Sequence, residues 1–84
     1  MTYHPYMKWR KTRPELEDDF LCFDLTGYSV GHIHKHHLGN WLWSMNAEDL
    51  DPVNGMADDA REAARLVELA FYRATKSRAA RPPS

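Results

Sequence analysis

The sequence predicts an α+β domain: a three-stranded antiparallel sheet backed by one C-terminal helix, in the order β-β-β-α. Three observations carry this reading. Residues 20–25 (FLCFDL), 29–36 (SVGHIHKH) and 41–45 (WLWSM) are short runs rich in apolar, aromatic or β-branched side chains. The breaks between them hold Thr26-Gly27 and Gly39-Asn40, which supply turn chemistry. From residue 57 to 76 the apolar period lengthens to that of a helix.

Residues 1–14 (MTYHPYMKWRKTRP) read as a basic, extended arm, because Pro5 and Pro14 disfavour helix at themselves and at the preceding residue. Trp9 either pins this arm to the core or adds a short edge strand. In the first strand, alternation puts Phe20, Cys22 and Asp24 on one face and Leu21, Phe23 and Leu25 on the other. The second set is wholly apolar and is expected to face the helix. The second strand projects His32, His34 and His36 to one side, and the third projects Trp41, Trp43 and Met45.

Residues 46–56 (NAEDLDPVNGM) read as an acidic loop, broken by Asp51-Pro52 and Asn54-Gly55. In the helix, Ala60, Ala63, Ala64, Val67, Ala70, Phe71 and Ala74 form one stripe, widened by Leu66. Asp59 followed by Glu62 has the spacing of a capping box, and Arg73, Lys76 and Arg78 stand near the negative end of the helix dipole. The folded domain therefore spans residues 15–76, between the arm and a flexible tail at 77–84. Its expected core is Trp9, Phe20, Phe23 or Cys22, Val30, Ile33, Trp43, Leu66, Val67, Ala70 and Phe71.

A length of 84 residues allows one domain and one modest core. The single cysteine, Cys22, excludes an internal disulfide framework and fits a reducing compartment. No apolar run approaches the roughly 20 residues of a membrane span, and the N-terminus shows no signal-like apolar segment. A soluble, cytoplasmic protein is the expectation.

Several elements occur together: Trp9, Asp18-Asp19-Phe20, Val30-Gly31-x-Ile33, Trp41-x-Trp43-Ser44, Gly55 and the alanine-rich helix. In this the chain resembles a group of small uncharacterised bacterial proteins. That resemblance implies no active residue. The β-β-β-α order is also similar in size and architecture to small phage-encoded anti-CRISPR proteins and to the arm-binding domains of phage integrases. The run His32-x-His34-x-His36-His37 departs from the bacterial pattern, where a basic or aromatic residue is more usual.

Catalytic signatures are sparse, and the chain reads as a non-enzyme without a cofactor. The four glycines are scattered at 27, 31, 39 and 55, so no phosphate-binding loop is present. Cys22 lies in an apolar strand, where a thiol is usually a core side chain; pairing with His34 is the one nucleophilic arrangement to weigh. His32, His34 and His36 have strand spacing for a metal, with Asp24 or His4 as a further ligand. Against this stands a polar, solvent-facing strand or a pH-sensitive interface.

Charge layout carries the functional reading. Residues 1–14, 15–59 and 60–84 hold +4, −9 and +4, which give the overall −1. The middle block concentrates Glu48, Asp49, Asp51, Asp58 and Asp59, with Glu15, Glu17, Asp18 and Asp19 as a second group. Such carboxylates can imitate phosphates against a basic protein surface. The expected function is therefore a protein-binding module, of an anti-CRISPR kind encoded by a phage or mobile element, that covers a nucleic-acid-binding surface. The alternative is a small DNA-binding domain led by Lys8, Arg10, Lys11 and Arg13, interleaved with Tyr3, Tyr6 and Trp9. A homodimer through an uncovered sheet face or edge is the remaining partner expectation.

Overall fold

A computed structural model describes residues 7–47 and 50–80, excepting the side chains of 77–80. Its elements are β1 (Lys8–Lys11), β2 (Asp19–Phe23), β3 (Ser29–Lys35), β4 (Trp41–Met45), β5 (Val53–Ala57) and α1 (Ala60–Ala80). The strands form one antiparallel sheet in the order β1-β2-β3-β4-β5, and α1 packs over β3, β4 and β5. The class is α+β with one C-terminal helix, but the sheet has five strands, not three.

The two added strands are the outer ones. The stretch read as an arm pairs with β2 from Lys8↔Phe23 to Lys11↔Phe20, so Trp9 does mark an edge strand. The stretch read as a loop pairs with β4 from Met45↔Val53 to Trp41↔Ala57. Asn54-Gly55 is strand rather than turn because the Trp43 ring lies across Gly55. A Cβ there would sit 2.9 Å from the indole. Glycine is the residue that lets a tryptophan lie flat on its neighbour.

Turn chemistry fixes the inner connections. Between β2 and β3, Asp24 Oδ1 accepts hydrogen bonds from Thr26 N (2.8 Å), Thr26 Oγ1 (2.6 Å) and Tyr28 N (3.1 Å). Gly27 supplies the positive φ of 94° that this turn needs. Between β3 and β4, His36 O accepts from Gly39 N at 2.9 Å, and Gly39 has a φ of 102°.

Register then decides which side chains meet the helix. Gly31 lies directly beneath α1, where a Cβ would come within 2.4 Å of Val67 Cγ1. Cys22 and Met45 stand opposite Gly31 on either side, and all three belong to the helix side. That side carries the core: Cys22, Ile33, Trp41, Met45 and Ala57 against Ala63, Ala64 and Val67, with Phe20, Trp43 and Phe71 half-buried around them. The expected orientation of β2 is thus reversed. Cys22 rather than Phe23 is core, while Leu21 and Phe23 lie on the opposite face and Leu25 is exposed beyond the strand. The strand runs from 19 to 23 rather than from 20 to 25: Asp24, which counted against the Cys22 face, belongs to the turn, and Asp19 stands on the face of Leu21 and Phe23. A register shift at Cys22/Phe23 buries Val30 beside Gly31.

The helix starts where the Asp59 cap requires, at Ala60 rather than at 57, and it runs to Ala80, so residues 77–80 of the stretch read as a tail are helical. Asp59 Oδ1 caps Glu62 N at 2.7 Å. The Glu62 side chain does not return to the cap; it pairs with Arg65 instead, at 2.9 and 2.5 Å. The expected capping box is therefore half-formed.

Candidate interaction surfaces

The helix leaves one sheet face uncovered. Two rows of side chains cross it in register: Arg10, Leu21, His32, Ser44 and Asn54, then Asp19, His34, Leu42 and Met56. Arg10 lies over the Phe23 ring at 5.8 Å from its centroid. A depression of about 350 Å³ is lined by His34, Leu42, Ser44, Asn54 and Met56 with the adjoining backbone.

Beside it the histidines divide into two pairs. His32 and His34 stack with centroids 5.0 Å apart. His32 Nε2 lies 2.5 Å from Asp19 Oδ1, which also accepts from Thr12 Oγ1 at 2.5 Å. Partial burial pushes the Asp19 carboxyl up. The hydrogen bonds from Thr12 and His32, with the charges of His32 and His34, outweigh this and hold it below its ordinary value.

His36 does not join them. It lies past the end of β3, against His37 at 4.0 Å, so the expected face of three histidines is not formed. Asp24 is committed to its turn, and His4 lies outside the described residues. Among the described residues no three His, Cys, Asp or Glu side chains converge as a metal site.

Nor do Cys22 and His34 meet, because they project to opposite faces of the sheet. Cys22 is 0% exposed, and burial, with the negative Asp24 nearby, pushes its thiol up to about 12. A thiol so protonated is a packing group; it contacts Met7 Sδ at 3.7 Å.

The basic residues occupy one edge. Lys8, Arg10, Lys11 and Arg13 are all exposed, but alternation sends Lys8 and Arg10 to the open face and Lys11 to the other. Lys11 faces Glu17 at 3.7 Å. Lys8 and Arg10 also border a depression of about 360 Å³ with Phe23 and the 24–27 turn. Tyr3 and Tyr6 lie outside the described residues.

Of the acidic residues, Glu15, Glu17 and Asp18 lie in the β1–β2 connection, while Asp51, Asp58 and Asp59 occupy the other edge, where β5 separates them. Asp51 precedes the strand, while Asp58 and Asp59 follow it. All three are exposed. Asp59 is spent on the helix cap, whereas Asp51 and Asp58 have no hydrogen-bond or ion-pair partner among the described residues. Glu48 and Asp49 lie outside the described residues.

Sequence reasoning passed over Glu68. It is 1% exposed and accepts from Met7 N at 3.1 Å and Trp9 Nε1 at 2.8 Å, tying β1 to the helix. Its position beside Val67, between Ala64 and Phe71, was the available signal: an acid inside an apolar stripe.

Among the described residues no helix is long and apolar enough to cross a membrane. No family model, curated protein or solved structure matches this chain, so its surfaces must be interpreted from their own chemistry.

Proposed function

We propose that this chain is a non-enzymatic protein-binding module that presents carboxylates to a basic, nucleic-acid-binding surface of its partner, in the manner of a phage-encoded anti-CRISPR inhibitor. The observation that carries the reading is the pair Asp51 and Asp58 at the two ends of β5, both exposed and, among the described residues, without a hydrogen-bond or ion-pair partner. Carboxylates already neutralised within the fold would add little to an encounter; these two keep their field for a partner. Burial of Cys22 supports this reading over one that uses its thiol as a nucleophile.

The test is a titration with a polylysine peptide, followed by amide chemical shifts and repeated over salt. Shifts centred on Asp51 and Asp58 that weaken with salt, and vanish in the Asp51→Lys/Asp58→Lys variant, support the reading. Unchanged binding by a variant of unchanged melting temperature sinks it.

A second reading rests on Lys8 and Arg10, which stand beside the half-buried Phe23 on the uncovered face. A cation next to an aromatic ring suits a single-stranded nucleic acid. Binding of labelled oligonucleotides that is lost in Lys8→Glu/Arg10→Glu and retained in the Asp51/Asp58 variant would favour it over the first.

A further inference from the structure

We infer that β5 is an acceptor strand: an extended segment of the partner, basic at both ends, adds to its open edge and continues the sheet. This rests on the acidic reading above and supplies the geometry of contact. Being outermost, β5 is hydrogen-bonded to β4 along one side only. Among the described residues no backbone hydrogen bond reaches its other side. Backbone donors and acceptors on that side are a template for another strand.

The two edges of this sheet are treated differently. β1 carries Lys8, Arg10 and Lys11 within four residues, a usual means of blocking edge-to-edge pairing. β5 reads VNGMA, with no charge, no proline and an unbroken register against β4. Its Val53 and Met56 are 41% and 61% exposed. Protection at one edge and its absence at the other mark β5 as the edge left for use.

Charge selects the occupant. An extended chain from Asp51 to Asp58 spans roughly 23 Å, so a docked strand would meet a carboxylate near each end. A second copy of β5 is disfavoured. Two-fold antiparallel pairing about Gly55 would bring Asp51 of one copy against Asp58 and Asp59 of the other. A second copy's β1 is also a poor fit: β1 and β5 are opposite edges, so the contact is head-to-tail and each copy added leaves a further edge open until a ring closes or a filament grows. A foreign strand with Lys or Arg at its ends meets neither obstacle. Its alternate side chains would extend the row that ends in Leu42 and Met56, which suits apolar residues there.

Two synthetic peptides of about seven residues, the span of the site, test this. Both have lysine at each end and alternating valine and threonine between; in one the central amides are N-methylated. The two share charge and side chains and differ in backbone donors. The free-amide peptide should bind at least about tenfold more tightly and slow hydrogen exchange in residues 53–57. Equal binding of both peptides overturns strand addition while leaving the acidic surface standing as a charge-capture site. Binding by neither, or concentration-dependent self-association that protects 53–57 without peptide, also overturns it. Loss of peptide binding in Asp51→Lys/Asp58→Lys at unchanged melting temperature supports it.

Discussion

The carboxylate of Glu68 on α1 accepts the indole N–H of Trp9 on β1 at 2.8 Å, across 59 positions of sequence. The same Oε2 accepts Met7 N at 3.1 Å, so one buried oxygen secures the edge strand twice. Helix packing reaches β3, β4 and β5; this contact is what extends the helix's hold to the far side of the sheet.

Glu68→Ala should therefore destabilise the fold by about 2–4 kcal/mol, because it strands one buried and one part-buried donor at once. Trp9→Phe, which removes one donor and keeps a ring, should cost about 1 kcal/mol. Thermal melts of the two variants, read by circular dichroism, check both the values and their order.

Gly31 should not tolerate a methyl group. Its Cβ would come within 2.4 Å of Val67 Cγ1, and the neighbouring Ser44 O at 3.3 Å leaves little room to move. Gly31→Ala should cost about 1–3 kcal/mol by overpacking. Val67→Ala should recover part of this in the double variant, and additive losses in a double-mutant cycle would remove the explanation.

Stability should fall as acid protonates Asp19. Its carboxyl is held below the ordinary value in the fold, so its contribution is present above the unfolded value and lost as pH drops through the folded one. Thr12→Val removes one of the hydrogen bonds responsible and should move the Asp19 midpoint up. Side-chain carboxyl chemical shifts against pH measure that midpoint in both proteins.

Cys22 should be inert to thiol reagents in the native protein. Access is closed at 0% exposure, and a thiol pushed up to about 12 has almost no thiolate at neutral pH. Reaction with a colorimetric disulfide reagent should appear only with denaturant, in step with loss of structure. Rapid native labelling would show that β2 opens locally.

How much of this was legible depends on the element. The helix and its Asp59 cap followed from periodicity and a polar residue at the right offset, as did Trp41, Trp43 and Met45 on one face. β5 was hidden because Asn54-Gly55 is turn chemistry locally, and only the Trp43 ring, a tertiary neighbour, explains the glycine. β1 was half-legible: Trp9 allowed an edge strand, while its bases, which belong there because an edge strand is solvated on one side, also fitted a free arm. The acids looked like one patch because sequence spacing is silent about a strand that separates Asp51 from Asp58. Glu68 was visible only as an acid inside an apolar stripe; what it holds, Met7 N and Trp9 Nε1, lies about sixty residues away in sequence.

The order of strands in the sheet has a kinetic consequence. Because each strand pairs with its neighbour in sequence, the sheet can assemble by successive hairpins, each closing a short loop at small entropic cost. The contact between Glu68 and Trp9 is different in kind, since it closes a loop spanning 59 positions. It can form only after the helix has docked, so β1 should be the last strand secured in folding and the first to open in the native state. In native-state hydrogen exchange, β1 amides should exchange through an opening that leaves β3 and β4 protected.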